Sequence, residues 1–344
     1  MQAVFSPLMS GSKASQRIHL KCDYESCDII AVPMRHKVLI SAPYMHREKE
    51  KIQHMLKNYA FDAEWIPVKE RLEEHDLLTV IANYDGILCG DDRVTQKVID
   101  AAIKLKVIVK WGTGIDSIDK DYAESKGIKV FRTPNAFTAP VAESTLAMML
   151  NEVRGLARND VIVKSGGWEK PQGYTLQEKI IGIIGFGDIG QAVAKRLVPF
   201  GPNVLVNDVK PLGDELLATL RVKSASKDEI YETCDFITLH ADLNETSKHL
   251  LNAASFSKME KKPYIINNAR GPLINETDLI AALRSKQIAG VGIDVFEQEP
   301  LAIDSPLRSL DTVTASCHNT NSSPLCWDKV HKNSLDMMEQ GLAA

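Results

Sequence analysis

Residues 179–200 read Lys179-Ile-Ile-Gly-Ile-Ile-Gly185-Phe-Gly187-Asp-Ile-Gly190-Gln-Ala-Val-Ala-Lys-Arg-Leu-Val-Pro-Phe200, a β-branched run that enters a glycine triplet and leaves it as an amphipathic stretch. The pattern G-x-G-x-x-G is weak alone, because glycine-rich turns are common; here its flanks decide the reading. Ile189, Val193, Leu197 and Phe200 follow at spacings of 4, 4 and 3, which puts them on one helical face. In such a strand-turn-helix unit the first glycine makes the turn, the second lets backbone approach a pyrophosphate, and the third packs helix on strand. The helix N-terminus then faces the anion. Gly185, Gly187 and Gly190 are therefore expected to cradle a dinucleotide.

Asp208 closes the next β-branched run, 18 residues after Gly190. That is near the ~20 expected of the acid that accepts from an adenosine ribose. A carboxylate there accepts from a 2′-hydroxyl and repels a 2′-phosphate, so NAD is expected over NADP. Asp188 lies inside the turn, where it suits the helix dipole but not a neighbouring pyrophosphate. Its side chain is expected to turn away, leaving its amide to the phosphate.

Outward from this unit the same alternation repeats. Runs beginning at Lys179, Asn203, Cys234, Tyr264, Gly290 and Thr312 read as six strands with intervening helices, the count of a doubly wound dinucleotide fold. Upstream, runs beginning at Lys37, Tyr84, Lys106 and Ile128 form a first βα block. A long apolar-faced helix over about 141–157 bridges the blocks, and a last helix over about 328–342 is expected to return to the first. The fold class is α/β, two doubly wound domains. A Rossmann domain over 141–323 is inserted into a flavodoxin-like substrate domain of 36–140 and 324–344, and residues 1–35 are an extension without clear period.

Composition agrees and excludes other classes. A chain of 344 residues, 44% hydrophobic and 25% charged, fits about two domains. Its 20 glycines and 15 prolines are too few for a fibrous or disordered chain. A net charge of −4 provides no basic field for nucleic acid or anionic lipid. No apolar run reaches the ~18–20 residues of a membrane helix, and Met1 to Leu20 lacks the apolar core of a secretion signal. Six scattered cysteines read as reduced thiols and predict a cytoplasmic protein. Cys22 and Cys27 lack two further ligands nearby, so no metal is expected.

Downstream, Ile266-Asn-Asn-Ala-Arg270-Gly271, Gly292-Ile-Asp294-Val-Phe-Glu-Gln-Glu299-Pro300 and Cys317-His318 each put polar residues at a strand end, where α/β folds bind ligands. With Lys110-Trp-Gly-Thr-Gly-Ile-Asp116-Ser-Ile-Asp119, Thr133-Pro-Asn and Val141-Ala-Glu143, they make the chain resemble the D-2-hydroxyacid dehydrogenase family from about Lys37 to its end. That family includes phosphoglycerate dehydrogenases and glyoxylate and hydroxypyruvate reductases. The resemblance implies reversible hydride transfer between NAD(H) and a small 2-oxo or 2-hydroxy acid, with Arg270, Glu299 and His318 as the catalytic residues. The residue types suit that chemistry. A forked guanidinium binds and polarises a carboxylate with its adjacent carbonyl. A histidine supplies the proton near neutral pH, and a glutamate on its far nitrogen orients the ring and favours its protonated form.

The same resemblance implies that Asp188, Ile189, Ala241, Asn268 and Ala269 line the cofactor and that Asp294 lies by the carboxamide. Thr113 and Gly114 would offer backbone to the nicotinamide and substrate carboxylate, and Gly90 would belong to the substrate loop. A homodimer built through the nucleotide domain and its bridging helix is also implied. A different kind of member, the dinucleotide-sensing corepressor that acts as a scaffold, provides the alternative reading. Two departures stand out. Cys317 replaces the proline many members carry before the histidine, and Asn319-Thr-Asn-Ser-Ser-Pro324 follows it. In the loop Cys89-Gly90-Asp91-Asp92, two acids stand where phosphoglycerate dehydrogenases carry an Arg-Ser pair near the substrate phosphate. Repulsion there favours an acid with a small or uncharged tail, such as glyoxylate or hydroxypyruvate.

Overall fold

The computed structural model describes residues 17–20, 29–32 and 35–343. The strand Ile180–Ile184 lies in a seven-stranded parallel sheet, ordered Lys223–Ser224, Asn203–Asn207, Ile180–Ile184, Phe236–Leu239, Tyr264–Asn267, Gly290–Ile293 and Val313–Ala315. Its neighbours are in register through Ile181, which faces Val204 on one side and Phe236 on the other. Stiff β-branched side chains suit strands covered on both faces. Apolar residues accordingly form one core on each face of the sheet, around Ile237 and Leu279 on one and Ile183 and Val193 on the other. The next two strands in the chain, Asn203–Asn207 and Lys223–Ser224, lie to one side of Ile180–Ile184, and the following one, Phe236–Leu239, lies to the other. This reversal opens a crevice at the strands' carboxyl ends, beside the glycine triplet.

The second sheet is parallel and five-stranded, ordered Phe61–Trp65, His36–Ile40, Gly86–Cys89, Val107–Lys110 and Lys129–Arg132. Numbered along the chain this is the order 2-1-3-4-5 of flavodoxin-like folds. The edge strand Phe61-Asp-Ala-Glu-Trp65 escapes the sequence reading because it has no β-branched residue and exposes Asp62 and Glu64. Lys223–Ser224, only two residues long, is missed for want of length.

The bridging helix is Thr138–Arg154, stopped by Gly155 in the left-handed conformation (φ 60°). A separate helix, Leu156–Lys164, buries none of its side chains. The single helix expected over 141–157 is thus two, because Gly155 adopts at low cost a conformation that ends a helix. The last helix, Pro324–Ala343, begins four residues earlier than expected, with a proline in its first turn where no amide is needed. It packs Val330, Leu335, Met338 and Leu342 onto the five-stranded sheet with Val38 and Val107. The approach is close: a Cβ on Gly86 would lie 2.5 Å from Met338 Sδ, and one on Gly341 would lie 2.4 Å from Val107 Cγ2. Buried Trp111 Nε1 also donates to His331 Nδ1 on this helix at 2.9 Å. Burial pushes His331 down to about 4, so its ring stays neutral and can accept. Cys22 and Cys27 lie outside the described residues; the described strand Arg17–Leu20 pairs antiparallel with Ile29–Val32.

Candidate active site

The glycine triplet shows three different local demands. Gly185 has φ +92°, and a Cβ there would lie 2.4 Å from the His240 carbonyl carbon and 2.5 Å from Ala241 N. A Cβ on Gly190 would lie 2.2 Å from Gly185 O, whereas one on Gly187 would meet nothing within 4 Å. Two glycines thus permit packing, and the middle one leaves open backbone where the helix Asp188–Leu197 begins. Asp188 is exposed at that helix start. Asp208 Oδ2 accepts from Phe186 N at 2.6 Å and Oδ1 from Lys210 N at 2.9 Å. Each carboxylate oxygen keeps a further lone pair for a ribose hydroxyl, so Asp208 can brace the turn and still accept.

A cleft of about 850 Å³ lies between the two sheets. Thr113, Gly114, Ile189, Ala241, Asn268, Ala269, Arg270, Asp294 and His318 all face it, brought together from both sheets. Arg270 follows the strand Tyr264–Asn267, and its turn is pinned by Asn267, whose Nδ2 donates to Arg270 O (2.9 Å) and whose Oδ1 accepts from Ala269 N (3.1 Å). Gly271 must be small there, because a Cβ would lie 2.0 Å from Phe296 backbone. The guanidinium donates through Nε to Asp116 Oδ1 (2.8 Å) and through Nη1 to Ala269 O (2.9 Å). A Cβ on Gly114 would fall 1.6 Å from Arg270 Nη2, so the guanidinium lies directly on glycine backbone. The fork's Nε is committed to Asp116, which leaves Nη2 for an incoming carboxylate. Asp116 lies in a quoted motif, but its pairing across 154 positions leaves no local signal.

His318 sits at the other wall. Its Nδ1 donates to Glu299 Oε2 at 2.8 Å, and Glu299 Oε1 accepts from Phe296 N at 2.9 Å. With Nδ1 spent, Nε2 is the ring nitrogen available to a substrate. His318 has φ 51°, a left-handed conformation costly for a non-glycine residue. The surroundings hold it there: His318 N donates to Asp294 O (2.8 Å), and Tyr44 OH donates to His318 O (2.9 Å). Asp294 Oδ1 accepts from Asn319 N, and Oδ2 from Thr320 N and Oγ1, at 2.6–3.0 Å. Asp294 therefore anchors the histidine loop, a role beyond the carboxamide contact expected of it.

Burial alone would lower the His318 pKa, but the hydrogen bond and charge of Glu299 and the charge of Asp91 raise it above the ordinary histidine value. A second carboxylate, Glu70, lies near this pair: ligand atoms of Glu70, Glu299 and His318 all fall within 4.8 Å of one another. Replacing Glu299 by Gln removes the charge and leaves burial to dominate. In the reductive direction His318 must carry the proton, so activity is present below its pKa and lost above it. Glu299→Gln is expected to move that alkaline limb of kcat/KM toward acid by about one pH unit or more, read from a pH–rate profile. An unmoved limb would detach Glu299 from the proton.

The structure separates the roles of the residues in the loop Cys89-Gly90-Asp91-Asp92. Gly90 is not part of the cleft wall; its carbonyl accepts from Lys110 Nζ at 2.6 Å, and a Cβ would press Pro43 Cδ at 2.8 Å. Its small size lets the backbone pass close to Pro43. Asp92 is fully buried and accepts from Ser41 Oγ and Leu72 N, so it braces the loop instead of facing a substrate. Asp91 alone of the two acids faces the cleft, and Lys110 Nζ donates to its Oδ1 at 2.6 Å. A sequence does not show which of two adjacent acids is buried.

The cleft suits a dinucleotide. Asn268 Nδ2 donates to Thr145 Oγ1 (3.1 Å), but its buried Oδ1 has no partner. His240, which the sequence reading overlooked, is held by Thr238 Oγ1 at Nε2 (2.9 Å), and its buried Nδ1 is also unpaired. Burial pushes His240 down to about 3, keeping it neutral. Unmet buried polar groups cost about 1–3 kcal/mol each. Both residues line the cleft, where amide or hydroxyl groups of a ligand could satisfy them. With the open backbone at Gly187, these are the groups a nicotinamide dinucleotide would use.

A family model described as "D-isomer specific 2-hydroxyacid dehydrogenase, NAD binding domain" matches residues 146–320. The chain is 37% identical to the glyoxylate reductase of Thermofilum pendens over 262 residues, 74% of this chain and 76% of that one. It is also 37% identical to the hydroxypyruvate reductase of Thermotoga maritima over 290 residues, 83% of this chain and 91% of the relative. Among solved structures, the D-lactate dehydrogenase of Aquifex aeolicus complexed with NAD and lactic acid superposes with a TM-score of 0.78 at 26% identity, covering 88% of this chain and 93% of that one.

Proposed function

The chain belongs to the D-isomer specific 2-hydroxyacid dehydrogenase family, and we propose that it reduces a small 2-oxo acid with NADH to the D-2-hydroxy acid, and catalyses the reverse. One observation carries this reading: Arg270 and His318, the latter backed by Glu299, face one cleft that Ile189 of the glycine-rich turn also lines. Bound NADH would supply the hydride, and bound NAD⁺ would take it in the reverse direction. The chain does the rest. Arg270 Nη2, lying on Gly114 backbone, binds the acid's carboxylate and polarises the carbonyl. His318 Nε2 donates a proton to the carbonyl oxygen and takes it back in oxidation, while Glu299 stabilises the imidazolium. The Arg270–Asp116 pair joins the two sheets across the cleft, which favours a closed, water-poor site.

In this reading residues 141–323 bind NAD, and 36–140 with 324–344 bind the acid. Glyoxylate- and hydroxypyruvate-like acids come first, phosphoglycerate-like ones second. The four free thiols described, Cys89, Cys234, Cys317 and Cys326, suit the reducing cytoplasm. Leu156, Val161, Val163 and Trp168, in and just after the helix Leu156–Lys164, are exposed apolar side chains that a second copy would cover, which light scattering would register as twice the monomer mass. Among the described residues, no helix is long and apolar enough to cross a membrane.

Consumption of NADH with glyoxylate and hydroxypyruvate tests the reaction. NADPH is expected to be at least about tenfold less efficient, because Asp208 loses a hydrogen bond from the 2′-hydroxyl and faces an anion in its place. Equal efficiency would remove Asp208 from cofactor selection, and no turnover with either acid would overturn the reading.

A further inference from the structure

The tail of the substrate is not specified by Arg270 and His318, which handle the carboxylate and the carbonyl common to every 2-oxo acid. The cleft contains a further pair that neither binds the carboxylate nor carries the proton, although the charge of Asp91 helps raise the His318 pKa. Lys110 ends the strand Val107–Lys110 with its side chain only 4% exposed, and its ammonium donates to Gly90 O and Asp91 Oδ1, both at 2.6 Å. Asp91 is 30% exposed and lies in the cleft wall with Arg270, His318 and Tyr44.

We propose that Asp91, held by Lys110, selects the substrate's tail: it admits 2-oxo acids whose tail carries a hydroxyl and rejects those whose tail ends in phosphate or a second carboxylate. This rests on the reaction proposed above. A carboxylate only accepts hydrogen bonds, so it welcomes an O–H and repels an anion. Burial would raise the Asp91 pKa, but the charges of Lys110, Arg270 and His318 hold it below the usual carboxylate range, so it stays anionic at any working pH. The Lys110 ammonium is already directed at Asp91 and Gly90. Arg93, two residues on, is not in the cleft wall, nor is Arg47, which lies over the Tyr44 ring at 5.6 Å; of the wall's other cations, Lys120 and Arg132, Arg132 donates to Thr113 O at 3.0 Å.

The test is the ratio of kcat/KM for hydroxypyruvate to that for its 3-phosphate, measured with NADH within each variant so that general losses of activity cancel. In the wild-type protein this ratio is expected to exceed about a hundredfold, as like charges placed together cost several kcal/mol. Asp91→Asn removes the anion and leaves the Lys110 ammonium uncompensated; the ratio should fall at least about tenfold, chiefly through the two KM values. Lys110→Met removes the cation and should move the ratio the opposite way, which also provides a reading if the first variant fails to fold. A ratio within about twofold of wild type in either folded variant, or a wild-type preference for the phosphorylated acid, overturns the proposal. Glyoxylate, which has no tail, separates the two levels: wild-type turnover of glyoxylate with an unresponsive ratio overturns only the role of Asp91, whereas no turnover of any of the three acids overturns the reaction as well.

Discussion

Replacing His318 with alanine is expected to lower kcat for 2-oxo acid reduction by about 10²–10⁴-fold, the usual contribution of a positioned general acid. The expectation follows from geometry. Nδ1 is fixed on Glu299, the backbone is pinned on both sides by Asp294 and Tyr44, and Nε2 is left as the proton donor on the cleft. Alanine also has to occupy a left-handed backbone (φ 51°), so loss of activity alone could reflect a collapsed loop. His318→Asn separates the two causes, since asparagine tolerates that conformation but is no acid. Both variants should lose turnover and keep NADH binding, followed by fluorescence, close to wild type. Turnover by the asparagine variant above about a tenth of wild type would remove His318 from the proton transfer.

Arg270→Ala is expected to be severe, costing about 30-fold or more in kcat/KM, the lower end of the range for truncating one partner of a buried charged pair, since this pair keeps 23% and 24% of its side-chain surface exposed. Two losses combine. The acid's carboxylate loses the Nη2 donor, and Asp116, no longer paired at 2.8 Å, becomes an unbalanced anion beside the place the carboxylate must occupy. Arg270→Lys should recover little, because a point charge cannot hold Asp116 and present a second donor across Gly114. The relief of Asp116 provides the discriminating readout: Asp116→Asn on the Arg270→Ala background should lower the KM for the acid. A KM unmoved by that second change would place the substrate's carboxylate elsewhere.

How much of this was legible in the sequence depends on the distance over which each feature is encoded. The seven-stranded sheet is announced locally, by the β-branched run into Gly185 and the face of Ile189, Val193 and Leu197, and the family and fold class read from those motifs agree with the relatives found. Phe61–Trp65 was not legible, because an edge strand needs no β-branched or continuous apolar run to pair with His36–Ile40. The break at Gly155 hides inside an otherwise helical pattern. Arg270, Glu299 and His318 stand out as motif residues, yet the partners that aim them do not. Asp116 meets Arg270 only through the packing of the two sheets, and the Tyr44 hydroxyl reaches the His318 carbonyl across 274 positions. The pair Asp91-Asp92 is the plainest case. Adjacent in the chain, one is buried under Ser41 and Leu72 and the other, balanced by Lys110, faces the cleft. Charge counting along the sequence treats them alike, and only tertiary structure divides their roles.

The central claim, D-specific reduction by this cleft, is tested most directly by the configuration of the product. Hydroxypyruvate is incubated with the purified protein and NADH, and the glycerate formed is resolved on a chiral column. D-Glycerate in equimolar amount to the NADH consumed is the predicted result. L-Glycerate, a racemate, or no consumption of NADH would contradict it.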